Sequence, residues 1–195
     1  KMVSLTKEIV NATSLPVTVK TRLGWDDSSK YIVEVAERLQ DVGIKAISIH
    51  GRTRAQMYKG EADWSLIAEV KNNPRMHIPV FGNGDIDSPQ KAKDVIEKTG
   101  ATAVMIGRSA LGKPWIFDQI NEYLSHGTLY RQPSKEEIQK IVMTHLKSIH
   151  KFYGESTGLK FARKHMNWYL GNFNDGKSFS KICNSVKTTH DQICL

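Results

Sequence analysis

An α/β fold built on a parallel sheet, with a small helical region after it, is predicted by three features of the sequence. Four short β-rich segments recur at about 30-residue intervals, the length of a βαβ unit. Amphipathic helical patterns lie between them. After residue 130 the strand signals stop and helical spacing continues. Such alternation places helices outside a parallel sheet. Four units make half of a (β/α)8 barrel or a small doubly wound sheet. No glycine-rich dinucleotide fingerprint follows a strand, which weakens the second option.

Each element has its own signal. The first strand is predicted over 16–22, where Val17 and Val19 alternate with Thr18 and Lys20. Ile32, Val35, Ala36 and Leu39 then keep helical spacing, and Gly43 stands where that helix would end. The second strand falls on 46–50. Trp64, Ile67, Ala68 and Val70 mark the next helix, and 78–83 the third strand. Ser88-Pro89 opens a helix with an N-cap and a first-turn proline, its apolar face is Ala92, Val95 and Ile96, and Gly100 closes it. The fourth strand covers 103–107. Loop-like residues at 125–128 and 131–133 precede Ser134, which with Glu137 forms a capping box. Helical spacing then runs from Ile138 to Tyr153, and further helices are predicted over 158–170 and 178–194. The domain reading is 1–130 for the partial barrel and 131–195 for the helical domain.

Composition bounds the function. The 195 residues are 39% hydrophobic and 25% charged, as in an ordinary globular protein. No apolar run approaches the ~20 residues that span a bilayer, and no signal-peptide core opens the chain. A cytoplasmic location is expected, with no membrane partner. Cys183 and Cys194 are expected to be reduced thiols, and they lack the spacing of a zinc site, so no metal is expected. The net charge of +8 is uneven: residues 131–195 carry +6 and the rest +2. A basic tail on a nearly neutral body points to a polyanion. The chain opens on Lys1 and reads as a fragment.

Candidate site residues come from strand alternation. Apolar residues of the strands should face the helices, so Lys20 and His50 should face inward at the C-terminal strand ends, where barrel enzymes place their sites. The third strand runs into Asn83-Gly84-Asp85 and the fourth into Gly107-Arg108. Glycines there let the backbone approach a ligand, and an arginine beside free amides suits a phosphate. Arg52 and Arg54 add cations at the same face. In the tail, Arg163 and Lys164 interleave with Trp168 and Tyr169, a pattern that suits RNA. The two aromatics are expected in the helical core.

Val17-Thr18-Val19-Lys20-Thr21-Arg22-Leu23-Gly24-Trp25, His50-Gly51-Arg52-Thr53, Asn83-Gly84-Asp85-Ile86, Gly107-Arg108-Ser109-Ala110-Leu111-Gly112-Lys113-Pro114-Trp115 and Arg163-Lys164-His165-Met166-Asn167-Trp168-Tyr169 occur in order and together resemble the tRNA-dihydrouridine synthases. The resemblance runs from about residue 5 to 172. It implies an FMN-dependent barrel followed by a helical tRNA-binding domain. It also implies that NADPH reduces FMN and that a hydride passes to the C5=C6 bond of a uridine in tRNA. Carried over residue by residue, Lys20 and His50 would lie at the flavin. Asn83, Gly84, Asp85, Gly107 and Arg108 would hold its phosphate. Arg52, Arg54, Arg163 and Lys164 are candidates for tRNA.

One part of the pattern is missing. The family's acid cysteine sits in an Asn-x-Gly-Cys-Pro loop, and this sequence has no such loop. The segment therefore resembles strands five to eight plus the helical domain, with the acid cysteine expected upstream and no catalytic acid in this chain. Alone it is expected to be inactive and to self-associate through open barrel edges. Two other functions stay open: a non-catalytic RNA-binding module, and another FMN-dependent barrel reductase acting on a small molecule.

Overall fold

The computed structural model describes residues 1–194. Helix α1 (Met2–Asn11) leads into strand β1 (Thr18–Arg22), and three helix–strand repeats follow: α2 (Ile32–Asp41), β2 (Ala46–His50), α3 (Ser65–Asn72), β3 (Val80–Asn83), α4 (Pro89–Thr99) and β4 (Ala103–Met105). All neighbouring strands are parallel, in the spatial order β1-β2-β3-β4. Among the described residues β1 and β4 are therefore edges. This is the predicted α/β sheet, with β2 at its predicted bounds and the other three strands two residues shorter.

The core of this part lies between sheet and helices. Ile47, Ile49 and Val80 pack with Ala36, Leu39, Ile67 and Val70, all fully buried. Burying each such aliphatic side chain stabilises by about 1.5–3 kcal/mol. Helix α4 begins as its sequence dictates: the Ser88 side chain accepts from the Lys91 amide, Pro89 follows, and Gly100 caps the end in the left-handed region.

Two compact units are present, Lys1–Gly107 and a second that begins at Arg108. The division falls earlier than the boundary at 130 read from composition. Helix α5 (Ile116–His126) groups with the later helices by its contacts, whereas order along the chain counts it as the last helix of the βα series.

In the second unit, α6 (Lys135–Leu170) opens on the expected capping box of Ser134 and Glu137. Arg131 grips the Glu137 carboxylate with both terminal guanidinium nitrogens at 2.6 Å, and this holds the carboxyl down at about 2. The helix is broken at Gly154, whose backbone is not helical. Where one helix was expected over 178–194, there are two, α7 (Gly176–Ser185) and α8 (Thr189–Cys194). Val186 is extended, and Thr188 starts the next turn by accepting from the Asp191 amide. The core here is Leu146, Ile149, Ala162, Met166 and Cys183. Tyr169 is buried as expected, while Trp168 is half-buried.

Candidate functional site

The carboxyl ends of the strands assemble the site in the first unit. Register sets Arg22 beside His50, His50 beside Asn83, and Asn83 beside Met105. A Cβ on Gly82 would press on Val95 of α4 at 2.8 Å. Gly82 thus faces the helices, and its neighbours Phe81 and Asn83 face the other way. By register Lys20, Ser48 and His50 share that inner face. The Asn83 side chain donates to the Met105 carbonyl at 2.6 Å and so ties the ends of β3 and β4 together.

His50 is only 6% exposed. Burial, then Arg22, Lys20 and Arg52, push its pKa down to about 4, against a smaller opposing effect of Asp85. The imidazole is neutral at neutral pH. Lys20 lies on the exposed part of the face, yet desolvation and the Arg22 charge hold its ammonium below the usual lysine range.

Arg52 requires a correction. As a candidate for the tRNA backbone it should be accessible, but it is 2% exposed. Its guanidinium meets the Asp85 carboxylate in a fork at 2.8 and 2.6 Å. It also donates to the carbonyls of Lys59 and Gly60. A buried guanidinium needs such partners, because desolvation is unfavourable by several kcal/mol. The Asp85 carboxylate accepts from the Ala62 amide as well, at 2.8 Å. Its side chain is therefore committed inside the protein. The turn is tight: Gly84 has φ +119°, and a Cβ there would lie 2.7 Å from the Ala62 side chain and 2.8 Å from His50. Asp85 itself adopts φ +54°, a conformation aspartate tolerates better than most residues.

Arg22, absent from the predicted site, organises the loop that follows β2. It donates to the carbonyls of Thr53 and Met57 at 2.9 and 2.8 Å and lies over the Tyr58 ring. The signal was its phase with Lys20 on β1. Gly107 is exposed at the end of β4, and a Cβ there would meet nothing within 4 Å. Arg108 is the next residue in the chain and opens a short 3-10 turn, Arg108–Ala110. Arg54 is exposed.

In the second unit Lys164 is exposed, with its ammonium 5.1 Å from the Trp168 ring centre. Arg163 differs from its expected role: it is half-buried and donates to the Val186 carbonyl at 2.6 Å, which fixes the link between α7 and α8. Cys183 is buried in the helical core, and burial raises its pKa.

A family model described as Dihydrouridine synthase (Dus) matches residues 1–194. The chain is 46% identical over 187 residues to tRNA-dihydrouridine synthase B of Vibrio cholerae, covering 96% of this chain and 58% of that protein. It is 45% identical over 184 residues to tRNA-dihydrouridine synthase B of Pseudomonas aeruginosa, covering 94% and 55%. With tRNA-dihydrouridine synthase B of Salmonella typhimurium the identity is 42% over 185 residues, covering 95% and 57%. The chain thus spans a little over half the length of these relatives.

Two outcomes follow from the buried charges. Arg52→Met strands a carboxylate, and Asp85→Asn removes the countercharge while tolerating the left-handed backbone. Each should lower unfolding stability by about 3–5 kcal/mol, with the double variant losing clearly less than the sum. Urea denaturation of the four proteins reads this, and additive losses would contradict the pairing. The second outcome concerns pH. Between 6.5 and about 4 the unfolded chain protonates His50 while the folded chain does not. Stability therefore falls as pH drops through that window, by roughly 3 kcal/mol from this group. His50→Gln should lack that part of the decline, and an unchanged pH profile would sink the assignment.

Proposed function

Since this chain belongs to the dihydrouridine synthase family, we propose that it is the flavin-phosphate-holding and tRNA-contacting part of a tRNA-dihydrouridine synthase. In this reading its four strands are strands five to eight of a (β/α)8 barrel. Residues 1–130 form the partial FMN-binding domain and 131–195 the helical tRNA-binding domain. FMN, reduced by NADPH, supplies the hydride for the C5=C6 bond of a uridine.

The observation that carries the reading is the joined end of β3 and β4. Asn83 locks the two strands together through Met105. Gly84 turns sharply, and Gly107 has open space before it. Backbone amides at two such turns suit a phosphate. Arg108, next along the chain from Gly107, supplies a fork for its oxygens. Lys20 offers a cation on the same inner face as His50, fitted to negative charge that develops on the reduced ring system. Neutral His50 exchanges hydrogen bonds there without adding charge. Arg52 and Asp85 hold the turn in place from behind.

The proton donor is assigned to a cysteine outside this chain. Cys183 is sealed in the helical core, and the Cys194 sulfur lies 3.8 Å from His190 Nε2 on α8. Arg54 and Lys164 are the exposed cations for tRNA, and Arg163 serves by anchoring the helices beneath Lys164. A tRNA substrate places the enzyme in the cytoplasm in this reading, and among the described residues no helix is long and apolar enough to cross a membrane. Self-association would occur through the β1 and β4 edges, whose unpaired backbone groups template further strands.

Titration of the chain with FMN, followed by flavin fluorescence, tests the site. Arg108→Ala should weaken binding about tenfold or more, the usual effect of losing a charged hydrogen-bonding partner. tRNA binding without any flavin binding would instead favour a non-catalytic RNA-binding module. Sedimentation over a range of concentrations should show association, and a dilution-resistant monomer would contradict the open edges.

A further inference from the structure

An aromatic cluster in the second unit has no part in flavin chemistry. Gly154 interrupts α6 with φ +73° and ψ −177°, and rings crowd outward around the break. Phe152 is 81% exposed, the most exposed large apolar side chain among the described residues, and Tyr153 and Phe161 are each 44% exposed. Tyr153 stacks on Phe161 at 4.5 Å between ring centres and 15° between planes. Phe152 meets Tyr153 edge-on at 4.8 Å. The stack holds the rings together on the surface, where they remain open to water.

Contiguous exposed apolar surface of this kind marks an interaction site. The charge around it selects the partner. Residues 147–164 contain Lys147, Lys151, Lys160, Arg163 and Lys164 against Glu155 alone, and all four lysines are exposed. Protein interfaces deplete lysine around their aromatic cores. Nucleic acid combines a flat π-face with an anionic backbone, which matches exposed rings set among cations. Paired bases hide their faces, so the ligand is an unpaired base. The pattern continues down the helix, where His165 meets Trp168 edge-on at 5.0 Å and Lys164 caps the same ring.

We propose that Phe152, Tyr153 and Phe161 form a stacking platform for an unpaired nucleobase of an RNA loop, with Lys151 and Lys160 on the flanking phosphates. This deepens the tRNA-dihydrouridine synthase reading and rests on it only for RNA as the partner. The platform lies on the helical unit and receives a base other than the one that is reduced.

The test is fluorescence anisotropy of the full chain with a short labelled single-stranded RNA of mixed sequence and with the same RNA as a blunt duplex. Single-stranded RNA should bind more tightly. Phe152→Ala combined with Phe161→Ala should weaken it about tenfold and leave duplex affinity unchanged. Phe152→Trp should preserve binding. Phe152 is largely solvated, so Phe152→Ala alone should keep the thermal melt of the parent and still lose single-strand affinity. Equal binding of duplex and single strand, no RNA binding at all, or unchanged affinity in the alanine variants overturns the platform. So does loss of self-association in those variants without a change in RNA affinity, which assigns the rings to a second copy. Flavin titration is indifferent to these outcomes, so the platform can fail while the flavin site stands.

Discussion

A guanidinium closed off from water at the carboxyl end of a sheet constrains everything near it. Arg52 is held by the Asp85 carboxylate and by two carbonyls of the loop after β2. Such a charge is tolerated only where its partners are fixed. The pair therefore fixes them in turn: the loop from Thr53 to Ala62 on one side, the left-handed turn of Gly84 and Asp85 on the other. The charges of Arg22, Lys20 and Arg52 add to burial in keeping His50 neutral. The oriented glycine turn follows from where one arginine is buried, whereas the neutral imidazole follows first from its own burial and then from Arg22 and Lys20, with Arg52 adding less.

Much of this was legible from residue order. The period of two along β1 and β2 assigns Lys20 and His50 to the face away from the helices, because Val19, Ile47 and Ile49 claim the other. Ser88-Pro89 and Ser134 with Glu137 mark helix starts through local hydrogen bonds, which need no tertiary information. The partnership of Arg52 with Asp85 was not legible. The two residues are 33 positions apart, and an arginine in a basic loop looks the same in sequence whether solvated or buried. Arg163 went astray for the same reason, since its carbonyl partner lies on the far side of α7. The break at Gly154 was legible, since the helical spacing ends at Tyr153 and resumes only at 158, on either side of the glycine.

The two units divide the chemistry. In the first, Lys20, Arg22 and Arg52 act on His50 at the strand ends, an arrangement that suits a small anionic ligand. The second has its cations outward on helices, interleaved with rings, where they suit an extended polyanion. In the proposed function the first of these arrangements serves a flavin and the second a tRNA. The chain spans a little over half the length of these relatives, and among the described residues β1 and β4 each pair on one side only.

The most direct test of the account is a crystal structure of the chain with FMN. The account places the phosphate at the turns of Asn83-Gly84 and Gly107-Arg108, with the Arg52 fork still closed on Asp85. A phosphate bound instead by Arg52, its guanidinium drawn away from Asp85, would contradict the claim that this ion pair is the fixed support of the site.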